Sequence, residues 1–459
     1  MSLRWPGRGV ALAVLGFLSI PTLLGAQAAT QSRQSLPDTL DLSQAVRVAF
    51  DNNPELVSAA ACVDAAAAGQ RANWGSLFPS ASINMNLRKT DFTTTTYQDP
   101  DGSSITLPFP LSSTQHGANQ GLNLNWDLFR GGSRFSDIKG GAASVRAANR
   151  RMSNVERVVT RQVRVAYFEA LKQASFVDVA EDQLAGRQRD LEVARRRYEI
   201  AAVNRTDVLG AEIEVGEAEL ALVEAETAEL IALRDLKVQM GLEAEEGGYP
   251  ALLDVEDVPA SEGLQTQQLV TNALTTKPEI RALEAEVEAA SASLWGARAT
   301  YLPNISLGFS YGRSESLGPD GTFWNFNLNN TGSTFSVVAS WNIFDGFSRE
   351  EQTAQASSSL RVSEADLTAR RLSLEKEVRD LVAEIQARDR RLGLQQRNYQ
   401  LAETRLQMMQ ERYRLGTVEY VDLLSAIRQL TDAERNLIQE RYEYLKLWAR
   451  LEEQVGNDL

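Results

Sequence analysis

The chain has 459 residues and a formal net charge of −14, from 47 basic and 61 acidic side chains. That surplus of acid argues against nucleic acid and anionic membrane surfaces as partners, since both require a basic face. One histidine and one cysteine, with no glycine-rich phosphate loop, leave no nucleophilic, metal or nucleotide constellation, so neither an enzyme nor a bound cofactor is expected.

In chain order, residues 1–28 read as a cleaved secretory signal: Arg4 and Arg8, an apolar stretch from Val10 to Leu24, then Ala26-Gln27-Ala28. The competing reading is a transmembrane anchor, against which stand the short stretch and its interruption by Ser19, Pro21 and Thr22. Without those residues the net charge is −16. Cys62, set among alanines, fits a small buried helix position.

The rest of the chain is written twice, as residues 29–247 and 265–459, with an equatorial linker at 248–264. Asn53-Pro54-Glu55-Leu56 and Phe78-Pro79 return 224 residues later as Lys277-Pro278-Glu279-Ile280 and Leu302-Pro303. Trp126 to Gly131 returns 215 residues later as Trp341 to Gly346, so nine extra residues lie between, in the first loop.

Each copy begins with a proline-bounded helix and then changes to a period of two. Strands are expected at 80–90 and 119–129, and at 304–313 and 334–343, with apolar positions such as Ile83, Met85, Leu122 and Leu124 alternating with Asn and Ser. Runs of this length suit tilted strands crossing a bilayer, with apolar side chains toward lipid and polar ones inward. A half-buried strand of a soluble sheet is the alternative. The connections Thr90 to Asn119 and Arg313 to Thr334 are rich in Thr, Ser, Asn and Gly and read as solvent-exposed loops. Trp126, Gly131, Gly132, Trp341 and Gly346 stand where a strand must swing into a helix.

No proline occurs between Pro110 and Pro250 or after Pro319, so long helix pairs are expected at 132–240 and 347–455. Val163, Ala170, Val177, Leu184, Leu191 and Tyr198 keep strict seven-residue steps, as do Val378, Ile385, Leu392, Tyr399, Leu406 and Tyr413. Such repeats specify helices that supercoil around partners, and Tyr198 and Tyr413 fit core positions of these rows. About 70 residues at ~1.5 Å each make a rod of roughly 100 Å.

Four strands per chain leave two unpaired edges, which hydrocarbon does not tolerate. Two copies would close eight strands and three would close twelve, and only the larger barrel leaves an open lumen. The expected fold is therefore an α+β membrane protein whose barrel continues into a tube of antiparallel coiled coils.

These residues resemble the TolC-like outer membrane factor family, in the order Leu42-x-x-Ala45, Asn53-Pro54-Glu55-Leu56, Leu77-Phe78-Pro79, Trp126 to Gly131, and Tyr413-x-x-Gly416-Thr417 with Asp422-Leu423-Leu424. The resemblance implies a homotrimer in the outer membrane of a Gram-negative bacterium, with a twelve-stranded barrel and a periplasmic tunnel. It implies a passive exit duct for efflux or type I secretion, working with a periplasmic adaptor (membrane fusion) protein and, through it, an inner membrane RND or ABC transporter. It also implies a gate at the inner tips, matched here by Asp207, Asp422 and Tyr413, and adaptor contacts at Ala201, Val203, Gly416, Thr417 and Val418. Val418 and Ser425 depart from residues that other members can use in the gate. From the residues alone, Asp207 and Asp422 serve equally as first-turn carboxylates of new helices. Two rival readings are a trimeric coiled-coil adhesin without transport and a cytoplasmic coiled coil.

Overall fold

Proline and glycine set most element boundaries. The computed structural model describes residues 38–200, 204–244, 248–254, 258–317, 330–415 and 417–456, so the expected signal at 1–28 lies outside the described residues. A capping box at Asp41, whose carboxylate accepts from the Gln44 amide at 2.6 Å, starts α1 (Leu42–Asn52). Asn53 and Pro54 end it and open α2 (Pro54–Gly75). Strands β2 (Ser80–Gln98) and β3 (Ser104–Arg130) follow the two-residue strand β1 (Thr39–Leu40) in chain order and lead to α3 (Ser133–Glu199) and α4 (Arg205–Gln239). The second copy comprises β4 (Ala251–Leu252), α5 (Thr266–Thr276), α6 (Pro278–Ala299), β5 (Asn304–Leu317), β6 (Asn330–Ser340), α7 (Ser348–Arg414) and α8 (Tyr420–Val455).

The strands form one antiparallel sheet in the order β2-β3-β5-β6. Register separates its faces. Ser82, Asn123, Ser310 and Thr334 stand in one row, and Asn84, Gly121, Gly312 and Gly332 in the next, on the same side. On the other side lie Ala81, Leu124, Phe309 and Phe335, then Ile83, Leu122, Tyr311 and Ser333. Over these rows one face is polar and small and the other is mostly apolar, until the row of Met85, Gln120, Arg313 and Thr331 turns polar again.

Several sequence expectations are corrected. The stretch Thr90 to Asn119 is not a loop: β2 and β3 continue through it to a tight turn in which Asp99 N–H donates to Ser103 O at 2.9 Å. Thr93 to Thr96 is polar yet β-branched, and it favours strand while reading as loop by polarity alone. Pairing slips only between Thr94 and Thr96, opposite a stretch holding Pro108 and Pro110, which cannot donate to a ladder. Likewise β5 runs on to Leu317, and β6 begins at Asn330 but stops at Ser340, before Trp341-Asn342-Ile343.

The helices carry the core at their middle. Leu40, Ala45, Val163, Tyr167, Ala170, Leu236 and Leu445 pack in one cluster, and Val270, Ile280, Val378, Ile385, Tyr444 and Leu451 in a second. Between them β1 pairs in parallel with β4, and the buried Tyr167 hydroxyl lies 2.9 Å from Leu40 O and 2.7 Å from Leu253 O. The linker is thereby stitched to the long helices. Burial in the heptad rows fades toward the tips: Val163 and Ala170 are buried but Tyr198 is exposed, contrary to its expected core role. Cys62 is exposed as well, because α2 has only one packed side within the chain.

Candidate functional site: the helix tips and the strand-to-helix junction

At the tips each helix pair must turn back. Asp207 occupies the first turn of α4, and Asn204 N–H donates to its Oδ2 at 3.2 Å. Asp422 stands in the first turn of α8, exposed, and its amide donates to Glu419 O at 3.2 Å. Thr417 closes the end of α7, where its amide and hydroxyl reach Arg412 O at 2.9 and 3.0 Å. Ala201, Val203 and Gly416 lie outside the described residues.

Three of the expected residues meet. Asp207, Tyr413 and Val418 line a recess of about 300 Å³ together with Arg197 and Tyr420. Within it the Arg197 guanidinium sits 4.5 Å from the centre of the Tyr413 ring, and the Tyr413 and Tyr420 rings are 5.9 Å apart. The guanidinium bound to an aromatic face therefore comes from α3, and apolar Val418 forms part of the wall. Asp422 does not line this recess.

About two turns further in is a set of charges that sequence reasoning missed. Arg187, nearly buried, lies 3.8 Å from Asp190 and 3.7 Å from Glu214, while Arg428 of α8 donates to Glu214 at 2.6 Å. Arg428 and Glu214 thus tie the second helix pair to the first. Burial raises the Asp190 carboxyl above the usual range, with Arg187 and Arg189 opposing and Glu214 adding to the rise. Burial also raises the neighbouring Tyr420 phenol, with Asp190 adding to it. Arg187 and Glu214 sit in generally charged helices, so no local motif distinguishes them. Only the short distance between the two pairs does.

At the other end, Gly131 and Gly132 take φ of +61° and +89°, and Gly346 with Phe347 takes +72° and +70°. The Trp126 indole donates to Leu77 O at 2.8 Å and the Trp341 indole to Tyr301 O at 3.1 Å. Arg134 pairs with Asp127 at 3.5 Å, whereas its counterpart Arg349 pairs with Asp345 at 3.0 Å. The second copy has Asn342 where the first has Asp127, and moves its acid three residues on. The first junction clamps the strand end to the first turn of the long helix, whereas the second clamps the connection after β6 to it.

Residues 45–242 and 269–457 match the family described as Outer membrane efflux protein. The chain is 24% identical over 427 residues to outer membrane protein TolC of Vibrio cholerae, spanning 91% of this chain and 90% of that protein. It is 25% identical over 332 residues to the alkaline protease secretion protein AprF of Pseudomonas aeruginosa, covering 70% and 66% of the two. Among solved structures it resembles the outer-membrane channel OprN with a TM-score of 0.75 and 19% identity, over 90% of this chain and 89% of the other.

Proposed function

The chain belongs to the outer membrane efflux protein family, and from that premise we propose that three copies close a twelve-stranded barrel and a twelve-helix tunnel. As a member it is an outer membrane exit duct for efflux or type I secretion, a conduit without an energy source of its own. The observation that carries the trimeric reading is the four-stranded sheet. Its polar face and two open edges need further strands, and three copies give a lumen that can stay wet. The apolar face then meets outer membrane lipid, and the signal at 1–28 sends the chain there.

In this reading the tips are the gate. Arg197 over Tyr413, and Arg428 on Glu214, hold the two helix pairs of one protomer together, and Asp207 and Asp422 ring the opening in threefold copies. A periplasmic adaptor, coupled to an inner membrane transporter, engages Ala201, Val203, Gly416, Thr417 and Val418 and draws the pairs apart. A wide aqueous duct discriminates little, so the cargo is set by the transporter. Planar-bilayer recordings test this: purified trimers give discrete conductance, and Arg428→Glu, which sets a carboxylate against Glu214, raises it severalfold. A monomer without conductance overturns the reading.

A further inference from the structure

Side chains of a strand alternate between two faces, so every charge in the sheet can be assigned to one of them. On the polar face β2 reads Ser80, Ser82, Asn84, Asn86 and Arg88. Beside these, β3 from Asn125 to Gly117 contributes only Asn and Gly to that face, and β5 and β6 contribute Asn, Ser, Gly, Thr and Val338. Asp127 and Arg130 stand on the same face at the end that passes into the helices, and they pair at 3.7 Å. Arg88 is therefore the one charge on this face of the described sheet that no opposite charge meets.

The other charges of the sheet lie on the opposite face. Lys89, Asp91, His116, Arg313 and Glu315 all continue the rows of Leu87 and Met85. Lys89 pairs with Asp91 at 3.5 Å, and the Thr114 hydroxyl donates to Asp91 at 2.6 Å. The neighbouring residues Arg88 and Lys89 thus differ in kind: one cation is satisfied on the outer face, and the other is presented bare on the inner one.

The surroundings of Arg88 keep it so. Register sets it beside Gly117 and then Ser316, while the rows before and after hold Asn86 with Asn119 and Thr90 with Gln115. A Cβ added at Gly117 would meet nothing within 4 Å, so that strand puts no side chain over the guanidinium. Arg88 is exposed and has no hydrogen-bond or ion-pair partner among the described residues. Its height is fixed by the row of Met85, Gln120, Arg313 and Thr331, where the apolar face turns polar. Arg88 lies three residues further from the helices, roughly 10 Å along the strand at ~3.3 Å per residue, and so at the outer mouth.

We propose that the Arg88 guanidiniums of the assembled duct form a cationic ring at its outer mouth, a binding and selectivity site for anions and for the carboxylate or phosphate groups of leaving solutes. This rests on the trimeric reading and assigns a function to one residue within it. Twelve strands spaced ~4.8 Å apart and tilted ~40° close to a radius of roughly 12 Å. An extended arginine reaches about half of that, so an ion on the axis passes within roughly 6 Å of three guanidiniums, inside the ~8 Å Debye length of physiological salt. Neutral Asn, Ser and Gly neighbours leave the field uncancelled, and the low-dielectric wall focuses it along the axis. The chain as a whole is acidic, with 61 acidic against 47 basic residues. The ring therefore sets an attraction for anions at the exit of an otherwise acidic protein, and it biases leaving solutes by charge at the end opposite to loading.

Reversal potentials of the whole protein in a planar bilayer, under a potassium chloride gradient near about 0.1 M, test the ring. Arg88→Gln is expected to lower chloride permeability relative to potassium severalfold, and Arg88→Glu to lower it further. Lys89→Gln, which alters the next residue on the opposite face, is expected to keep the parent value. At about 1 M salt, where the Debye length is ~3 Å, the difference should shrink. Conducting trimers whose selectivity ignores Arg88→Glu, or follows Lys89→Gln as strongly as Arg88→Gln, overturn the ring and leave the trimer standing. So does a difference that persists in full at high salt. A parent chain that gives neither trimers nor conductance overturns both.

A second measurement restores the charge chemically, in channels already inserted and conducting. In a Cys62→Ser background, Arg88→Cys trimers are treated from the outer side with methanethiosulfonate reagents of positive or negative charge. The positive reagent is expected to return selectivity toward the parent, and the negative one to move it away. Equal shifts with both, or no shift at a thiol shown to be labelled, count against the ring.

Discussion

At Gly131 the backbone has φ +61°, and a Cβ there would lie 2.0 Å from the Ala299 carbonyl oxygen. No rotamer relieves a clash with backbone. Gly131→Ala is therefore expected to cost more than the ~1–2 kcal/mol of left-handed strain alone, read as a lower melting temperature and a lower yield in the outer membrane. The same change at Gly346, with φ +72° and open space around its Cβ position, should cost only the strain. Tyr167→Phe removes a buried hydroxyl that serves two carbonyls, a loss of about 1–2 kcal/mol in unfolding free energy. The glycines were legible in the sequence as points of permissive backbone. That Gly131 also needs the space, and Gly346 does not, depends on which backbone passes beside each.

At the scale of elements, the long helices are joined across copies by charged clamps. Glu169 of α3 receives Lys446 of α8 and, at 2.8 Å, Lys172. Burial raises its carboxyl, but the hydrogen bonds from Lys172, Lys446 and Gln173 outweigh that and bring it down to about 2. A depressed carboxyl contributes stability fully above its unfolded value of 4.5, and the contribution is lost as pH falls from there toward about 2. Melting of Glu169→Gln against the parent should accordingly differ at pH 6 and converge near pH 2. A difference that persists at low pH would assign the effect to packing. Heptad rows revealed these helices. They did not reveal Glu169, Arg187 or Glu214, because charged residues fill most solvent-side positions and spacing alone cannot tell a clamp from a solvated face.

At the scale of the whole molecule, duplication gives one chain two similar halves, and in the proposed trimer each half takes up one sixth of the circumference of the duct. The four-stranded sheet keeps two open edges and the long helices keep exposed apolar residues within the single chain, and the proposed trimer covers both by the same operation, addition of the next copy. Exposed Cys62 and Tyr198, which the sequence reading took for core positions, lie on helices that are only partly covered within one chain.

The sequence by itself determined the two-copy plan, the switch between period two and period 3.5, the long helices and the family. These follow from local rules of backbone and burial that repeat along the chain. Only the tertiary structure decided how far the hairpin of β2 and β3 extends, that Arg197 supplies the cation over Tyr413, and which charges join the helix pairs. Those depend on residues far apart in the chain meeting at distances of a few ångströms, and no periodicity encodes them.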